Sequence, residues 1–355
     1  MRRWLLATVV ALVLAAPLPA EAQAPPPPPA PQAWIVVDAD TGAVIDGSGE
    51  RMPLRAASVI KLLTALIAVE RLPAGATVPV SPLAEGMPAR KINMKAGQAW
   101  ALTDTLYSLL LVSANDAAAA LAERVSGSRA EFAAAMADAA RRLGLEDTPV
   151  LRDPAGLDAE PFAFDGGNFI SARDLAIVAR AALAQPQIRL IVATDNYRFN
   201  GGDGINHVVR NHNLLLNRYP GATGMKTGYT RGAGHTLIGS ATRNGRTMIA
   251  VVLNAVDPTG STVQLLDKGF LMPIAFQGGR GYLPPRASVA LPDEAGGLPR
   301  QEEVQVAAAR ELAAPPNQSS IGRDVLLITI GTLPALGIVL RRRRRGGKRP
   351  FFSWG

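Results

Sequence analysis

A serine and a lysine three residues apart form the first arrangement in this sequence that could perform chemistry. Ser58 and Lys61 lie in an apolar stretch, and on a helix two residues at this spacing share one face. Leucine, isoleucine and valine residues surround the lysine, which predicts a largely buried helix in which a lysine needs a reason to be present. A buried amine is neutral for part of the time and can then take a proton from a neighbouring hydroxyl group. Most isolated pairs of this kind, however, lie on solvated helix surfaces.

A second motif supplies groups that could bind a substrate. Lys226-Thr227-Gly228 follows a Pro-Gly turn and is predicted to enter a strand. Gly228 would let a substrate backbone approach closely, while Lys226 and Thr227 could bind a terminal carboxylate. Lys226 could also be a second cation that disfavours the charged form of Lys61. The ordinary alternative for this motif is an exposed strand start.

A third motif places polar groups inside an apolar helical region. Ser113 and Asn115 follow a run of leucine and valine residues and are themselves followed by an alanine-rich stretch. Taken by themselves, the two side chains are equally well explained as a helix cap or a turn. The three motifs are far more specific as a set than any one of them alone.

In this order, the three motifs resemble those of the serine penicillin-recognising enzymes. The chain is most similar to the low-molecular-mass penicillin-binding proteins, the serine-type D-alanyl-D-alanine carboxypeptidases of the peptidase S11 family, over about residues 34–270. The segments that carry the likeness are 57–65, 113–118, 153–157, 171–175, 211–215 and 224–234.

The resemblance implies an α+β fold of the β-lactamase/DD-peptidase type, with an antiparallel sheet flanked by helices and a helical subdomain. It also implies that the chain removes the terminal D-alanine from peptidoglycan stem peptides through an acyl-enzyme, and that β-lactams inhibit it. No cofactor or metal ion is expected. The roles implied for the residues are nucleophile for Ser58, base for Lys61, proton relay for Ser113, substrate amide binding for Asn115, carboxylate binding for Lys226 and Thr227, close substrate approach at Gly228, and an oxyanion hole from the backbone amides of Ser58 and Tyr229.

Three other activities are compatible with parts of this pattern. A DD-endopeptidase that cleaves peptidoglycan cross-links would use the same residues, and a non-catalytic penicillin-binding sensor would keep the fold without turnover. A secreted β-lactamase is disfavoured, because no Glu-x-x-x-Asn element that resembles a class A deacylation site lies between Ser113 and Lys226.

The elements that must position these residues can be predicted from periodicity and turn signals. Two strands at residues 34–37 and 43–45 are expected to form an opening hairpin, and residues 56–70 a helix. Thr103 is the expected N-cap of a further helix with Asp104 in its first turn, and two more helices are expected over residues 115–125 and 129–143. Asn244-Gly245 predicts a tight hairpin between strands at residues 235–242 and 246–255. Helices enclosed between early and late antiparallel strands predict an α+β fold whose core ends near Phe270.

Composition excludes several classes of function. The absence of cysteine removes disulfides, thiolate metal sites and cysteine nucleophiles. The net charge of +8 arises at the ends of the chain, chiefly from seven cations between Arg341 and Arg349, so the body is near neutral and nucleic-acid binding is not expected. The histidines, His207, His212 and His235, form no familiar metal-ligand motif and are expected to form hydrogen bonds.

The two ends predict export and anchoring. Residues 1–22 show the charged, apolar and small-residue order of a signal peptide, and residues 23–33 are a Pro-rich linker. Residues 34–270 would form the catalytic domain and residues 271–322 an extension, which is too short for the β-rich second domain of many family members. The uncharged apolar run at residues 325–340 predicts a transmembrane anchor at residues 323–341, with a buried or interfacial helix as the alternative, followed by a basic cytoplasmic tail at residues 342–355. The catalytic domain would then lie outside the cytoplasmic membrane.

Overall fold

The first and last strands of the body pair with each other inside one antiparallel sheet. The structure, a computed structural model, describes residues 28–158, 166–273 and 279–286. The strands of the main sheet are β1 (Ala33–Asp38), β2 (Val44–Ser48), β9 (Ala222–Thr230), β10 (Gly234–Arg243) and β11 (Arg246–Ala255), in the order β2-β1-β11-β10-β9. Strand β9, which carries the Lys226 motif, is therefore an edge strand of this sheet.

The other strands of the described chain form three short antiparallel pairs. They are β3 (Leu54–Arg55) with β6 (Phe169–Ile170), β4 (Thr77–Pro79) with β5 (Ala99–Ala101), and β7 (Asn196–Asn200) with β8 (Asn206–Arg210). Between and after these pairs, the described chain forms the helices α1 (Lys61–Arg71), α2 (Pro82–Glu85), α3 (Leu102–Leu111), α4 (Asn115–Ser126), α5 (Arg129–Leu143), α6 (Ala172–Ala184), α7 (Pro186–Ala193) and α8 (Pro258–Leu271).

Each face of the main sheet packs against its own hydrophobic core, and successive side chains of a strand point into the two cores in turn. Ile35 and Val251 face the larger core, which includes α1 and α6. Val36 and Val252 face a smaller core that is closed by Leu266 of α8. The predicted α+β architecture is confirmed, with a helical region built from the middle of the chain and an antiparallel sheet built from its two ends.

Both predicted hairpins of the main sheet are present. Strand β1 pairs with β2, and β10 pairs with β11. At the second hairpin, Asn244 and Gly245 have φ values of 51° and 77°. Positive φ at both central residues is the requirement of the tight turn whose twist matches the flanking strands, which explains the Asn-Gly sequence.

Two helix starts differ from the predictions. The expected helix over residues 56–70 begins as a 3₁₀ turn (Ala57–Ile60), and the α-helix starts only at Lys61. Ala57 has a φ of 50°, which an α-helix does not allow, so a regular helix cannot include residues 56 and 57 as predicted. Thr103 is not an N-cap, because α3 already begins at Leu102 and its N-cap is Ala101. The Leu102 side chain is buried, and its backbone amide donates to the Ala76 carbonyl.

The core extends beyond Phe270, contrary to the prediction. Residues 281–286 return to the body, where the Leu283 amide donates to the Gly42 carbonyl over 2.8 Å and the Leu283 side chain is buried. Arg180 of α6 donates to the Pro284 carbonyl over 2.9 Å. Backbone contacts of this kind leave no apolar periodicity, so composition alone placed these residues in the extension.

Several predicted segments lie outside the described residues. They are the signal peptide at 1–22, the first part of the Pro-rich linker, the anchor at 323–341 and the basic tail at 342–355. Among the helices that are described, none is by itself both long enough and apolar enough to cross a bilayer, although the bent pair α6 and α7 meets the criterion when taken together.

Replacement of Gly245 by alanine tests the turn that aligns β10 with β11. A Cβ atom at this position would meet no atom within 4 Å, so the effect comes from the positive φ alone. We expect the Gly245→Ala variant to lose about 1 kcal/mol of unfolding free energy, measured by urea denaturation. Gly75→Ala is the matched control, because Gly75 also faces open space but lacks the positive φ. Equal stability of both variants would contradict the turn assignment.

Candidate active site

The residues predicted to do chemistry meet at one cavity of about 910 Å³. The predicted residues that line it are Ser58, Ser113, Asn115, Thr227, Gly228 and Tyr229. Lys61 and Lys226 lie behind the wall of the cavity and are 0% and 1% exposed. The fold therefore brings three distant stretches of sequence to one place.

The turn that carries Ser58 is held between two glycines. A Cβ atom at Gly156 would lie 2.1 Å from the Ala57 carbonyl oxygen, and a Cβ atom at Gly228 would lie 2.9 Å from the Ser58 amide nitrogen. Real Cβ atoms do not approach other atoms this closely, so each glycine permits a backbone contact that no other residue allows. The hydroxyl of Thr236 also donates to the Ala56 carbonyl over 3.1 Å. Ser58 therefore sits on a rigidly supported turn.

Among the described residues, Lys61 makes hydrogen bonds only to neutral oxygens. Its Nζ lies 3.0 Å from the Ser58 Oγ, 2.8 Å from the Asn115 Oδ1 and 2.5 Å from the Ala155 carbonyl oxygen. The first of these contacts places the amine within proton-transfer distance of the serine hydroxyl. A 3₁₀ turn that runs into a helix therefore achieves the contact predicted for a regular helix, since residues three apart eclipse in 3₁₀ geometry.

Burial lowers the pKa of Lys61 from its ordinary value of 10.5 to about 7. Asp153 and Asp116 act in the opposite direction by stabilising the charged amine, and Arg90 lowers the pKa further. A lysine with a pKa near 7 is neutral often enough to act as a general base at physiological pH. Arg90, which was not predicted, therefore acts on Lys61, and the predicted neighbour Lys226 is also close enough for the charges of the two lysines to interact.

A buried network holds the carbonyl that Lys61 contacts. Asp153 accepts a hydrogen bond from the Ala155 amide over 2.9 Å and forms an ion pair with Arg129 at 2.7 Å. Asn168 donates to the Asp153 carbonyl over 2.8 Å. These contacts fix the loop at residues 153–157 beneath Ser58. The Asp-Pro-Ala-Gly stretch of this loop was a sequence signal for family likeness, but its role as a support was not predicted.

Ser113 and Asn115 lie where α3 ends and α4 begins. Ser113 has a φ of 64° and is 6% exposed. Asn115 is the first residue of α4, and its amide group accepts from Lys61 and donates to the Pro88 carbonyl over 3.0 Å. The break between the two helices therefore places both residues on the wall of the cavity that Ser58 also lines. The two residues thus form a turn and a helix start, as one interpretation predicted, and also lie in the candidate site, as the other predicted.

The start of α4 also fixes a loop that sequence analysis missed. The Asn115 amide donates to the Arg90 carbonyl over 2.7 Å. The buried Asp116 carboxylate accepts from the Ile92 and Met94 amides, each at 3.1 Å. These contacts hold residues 88–94 over the cavity, which Arg90 lines. A single arginine in a polar loop carries no motif, so no sequence signal identified it.

Lys226 is buried in the middle of β9 and donates to the Thr227 carbonyl over 2.9 Å. Burial, followed by the charges of Lys61 and Arg90, lowers the pKa of Lys226 well below its ordinary value. Tyr229, two residues beyond Thr227, is 56% exposed, and its ring lies 4.6 Å from that of His235. Strand β9 therefore presents a polar row along one wall of the cavity.

The other two histidines make hydrogen bonds. His207 contacts Asp203 at 3.0 Å, and the Nδ1 of His212 lies 2.7 Å from a guanidinium nitrogen of Arg90. In the described parts of the chain, no group of three His, Cys, Asp or Glu residues is arranged to hold a metal ion.

The family model for D-alanyl-D-alanine carboxypeptidase, peptidase S11, matches residues 20–257. The chain belongs to this family. It is therefore a serine carboxypeptidase with the penicillin-binding fold, as the motifs predicted.

Two curated relatives show how far the likeness extends. The chain is 36% identical to the D-alanyl-D-alanine carboxypeptidase DacB2 of Mycobacterium tuberculosis, a match that covers 68% of this chain and 82% of the relative. It is 33% identical to DacF of Bacillus subtilis, with 65% of this chain and 59% of the relative covered. The chain thus spans most of one relative and about three fifths of the other.

Solved structures show the same fold. A crystal structure of a D-alanyl-D-alanine carboxypeptidase from Mycobacterium tuberculosis has a TM-score of 0.64 at 33% identity, covering 72% of this chain and 96% of that one. A peptidoglycan synthesis regulatory factor (PBP3) from Streptococcus pneumoniae has a TM-score of 0.61 at 28% identity, with 67% and 72% covered.

Replacement of Gly228 by alanine tests the close contact between β9 and the Ser58 turn. The added Cβ would push against the Ser58 and Val59 amides, and a displacement of about 1 Å can reduce a rate about 100-fold. We therefore expect the Gly228→Ala variant to acylate with a fluorescent penicillin about 100-fold more slowly. The Gly75→Ala variant should retain the normal rate, and a normal rate in both would contradict the contact.

Proposed function

We propose that Ser58 is the nucleophile with which this carboxypeptidase removes the terminal D-alanine from peptidoglycan stem peptides. The observation that carries the proposal is the 3.0 Å contact between the Ser58 Oγ and the Nζ of Lys61, a buried amine whose pKa is about 7. A serine hydroxyl is a weak nucleophile until a neighbouring base accepts its proton. Lys61 is the group placed to do so.

The reaction proceeds through two acyl transfers. The Ser58 Oγ attacks the carbonyl carbon between the two terminal D-alanines, and Lys61 takes the hydroxyl proton. The C–N bond then breaks, and the amine of the leaving D-alanine receives a proton through Ser113. Water attacks the resulting ester, gives one proton back to the Ser58 oxygen and releases the shortened peptide as its carboxylic acid. β-Lactams acylate the same oxygen.

The backbone amides of Ser58 and Tyr229 stabilise the negative charge that develops on the carbonyl oxygen. The close approach at Gly228 supports this assignment, because it brings strand β9 against the amide of Ser58. Removal of one such donor costs about 2.7–4 kcal/mol of transition-state stabilisation in related acyl-transfer reactions. Backbone donors require no change of protonation state, so this contribution is available at every pH at which Lys61 is active.

The remaining predicted residues hold the peptide. Asn115 donates to, or accepts from, the substrate amide beside the reacting carbonyl, while Lys226 and Thr227 bind the terminal carboxylate. Support comes from the position of Asn115 and Thr227 on the cavity wall, from the burial of Lys226 next to Thr227 in the same strand, and from the helix start that fixes Asn115. Because Gly228 has no side chain, the extended peptide can lie along β9.

We also propose that the catalytic domain works outside the cytoplasmic membrane. The signal sequence at residues 1–22, the apolar segment at 323–341 and the arginines that follow it support export and anchoring. The peptidoglycan substrate of the proposed reaction lies on the same side of that membrane.

The Ser58→Ala variant tests the proposed nucleophile. We expect it to lose both labelling by a fluorescent penicillin and release of D-alanine from a pentapeptide, because no other hydroxyl contacts Lys61 in the described residues. Ser261→Ala, which changes a serine on α8 across the sheet, should keep both activities. Undiminished labelling of the Ser58→Ala variant would refute the assignment.

Product analysis with the wild-type protein separates the alternatives. Purified muropeptides should yield free D-alanine. Accumulation of cleaved dimers without free D-alanine would identify an endopeptidase, and penicillin labelling without either product would identify a sensor.

The pH dependence of acylation tests the base. Only neutral Lys61 can accept the serine proton, and its pKa is about 7. We expect the acylation rate to level off above about pH 8 and to fall about tenfold for each pH unit below 7. Stopped-flow measurements with a chromogenic β-lactam would record this profile. A rate that is constant from pH 5 to 9, or that rises only near the ordinary lysine pKa, would contradict the mechanism.

A further inference from the structure

Arg90 is a cation at the edge of the active-site cavity that belongs to none of the three motifs. Its side chain is exposed and lines the same cavity as Ser58. The loop that carries it is fixed on both sides, by Asn115 at the Pro88 and Arg90 carbonyls and by Asp116 at the following amides. These contacts therefore hold the Arg90 guanidinium in a defined position at the edge of the cavity.

The side chain that holds Arg90 leaves its charge intact. A guanidinium nitrogen donates to the Nδ1 of His212 over 2.7 Å. Burial, together with the charges of Arg90 and Lys226, lowers the pKa of His212 to about 4, so its ring is neutral at physiological pH and accepts this hydrogen bond. One acceptor uses one of the five N–H donors of an arginine. Within the described chain, no carboxylate forms an ion pair with Arg90.

The surroundings of Arg90 are positive. Its charge lowers the pKa values of both Lys61 and Lys226. None of the described residues that line the cavity is Asp or Glu, and the other arginine that lines it, Arg210, lies 4.0 Å from the Asp195 carboxylate. A guanidinium that has no ion-pair partner among the described residues, beside a described wall that carries no carboxylate, attracts an anion, and its planar donors suit a carboxylate in particular.

The contacts also indicate which end of the cavity Arg90 serves. His212, which holds Arg90, lies close enough to Lys226 for the charge of that lysine to affect it. Tyr229 and His235 mark the other direction along β9. Arg90 lines the same cavity as Thr227 and is close enough to Lys226 to affect its pKa, which points to the part of the wall where the terminal carboxylate lies in the proposed reaction.

We propose that Arg90, held by neutral His212, is a specificity-determining residue that binds the free carboxylate of the leaving residue. This inference rests on the proposed function. Arg90 selects peptides whose last residue ends in a carboxylate over those with an amidated or otherwise uncharged end. The carboxylate is thus bound by Arg90 of the loop at residues 88–94 as well as by Lys226 and Thr227 of β9.

The test compares two substrates that share the acyl part but differ in the leaving group. One is an acyl-D-alanyl-D-alanine peptide with a free carboxylate, and the other is an acyl-D-alanyl thioester with an uncharged thiol. Rates are measured above pH 8, where Lys61 is neutral, so that loss of the Arg90 charge does not act through the base. We expect Arg90→Ala to lower kcat/KM for the peptide about 10- to 100-fold, mainly through KM, which is the range for a hydrogen bond to a charged group. The thioester rate should stay within about twofold.

Two further variants complete the experiment. Arg90→Lys should recover part of the peptide activity, since it restores the charge without the planar donors. Lys91→Ala removes an equal charge from the neighbouring residue, which contacts Glu85 and does not line the cavity, and it should leave both rates unchanged. Equal losses on peptide and thioester, or no loss on the peptide, would overturn the role of Arg90. Absence of D-alanine release by the wild-type protein would instead refute the proposed function.

Discussion

The active site depends on a lysine amine that is removed from water and that contacts no carboxylate in the described part of the chain. Lys61 bonds to a hydroxyl, an amide oxygen and a backbone carbonyl, all of them neutral acceptors. Such acceptors satisfy the N–H groups without supplying the negative charge that would hold the proton. The nearby Asp153 and Asp116 stabilise the cation only from a distance, because their oxygens bind other partners. Burial therefore dominates the pKa of the amine.

The two aspartates show how the fold controls that balance. Asp153 organises the loop beneath Ser58 and is paired with Arg129, and Asp116 organises the loop above the cavity. Each carboxylate is thus close enough to keep the pKa of Lys61 from falling further and too occupied to bind the amine directly. The same two groups that shape the cavity walls also raise the pKa of Lys61, so the shape of the site and the protonation of this lysine depend on each other.

Sequence was sufficient for the parts of the fold that rest on local rules. The main strands were recognisable from β-rich runs, the last hairpin from Asn244-Gly245, and the reactive pair from the spacing of Ser58 and Lys61. The family likeness supplied the way in which the three motifs meet. Local rules alone could not have brought Gly228 against the Ser58 amide, since that contact depends on how β9 packs against the turn.

The features that sequence analysis missed depend on tertiary geometry. The positive φ of Ala57 is imposed on a residue that has no preference for it. The position of the Arg90 guanidinium is set by a hydrogen bond to His212, a residue far away in sequence. The return of Leu283 to the core depends on a backbone hydrogen bond to Gly42. None of these leaves a periodic pattern. Lys226 was expected to be a cation near Lys61, and the charges of the two lysines do interact, but the additional effect of Arg90 on Lys61 was not predicted.

The pairing of the first strand with the last also governs when the protein can become active. Strand β1 has no neighbour on one side until β11 arrives, and β9 joins the sheet only through β10 and β11. Contacts between residues this far apart in sequence form late and slowly during folding. Until the sheet is complete, Ser58 and Lys61 therefore lack the wall of the cavity that β9 supplies.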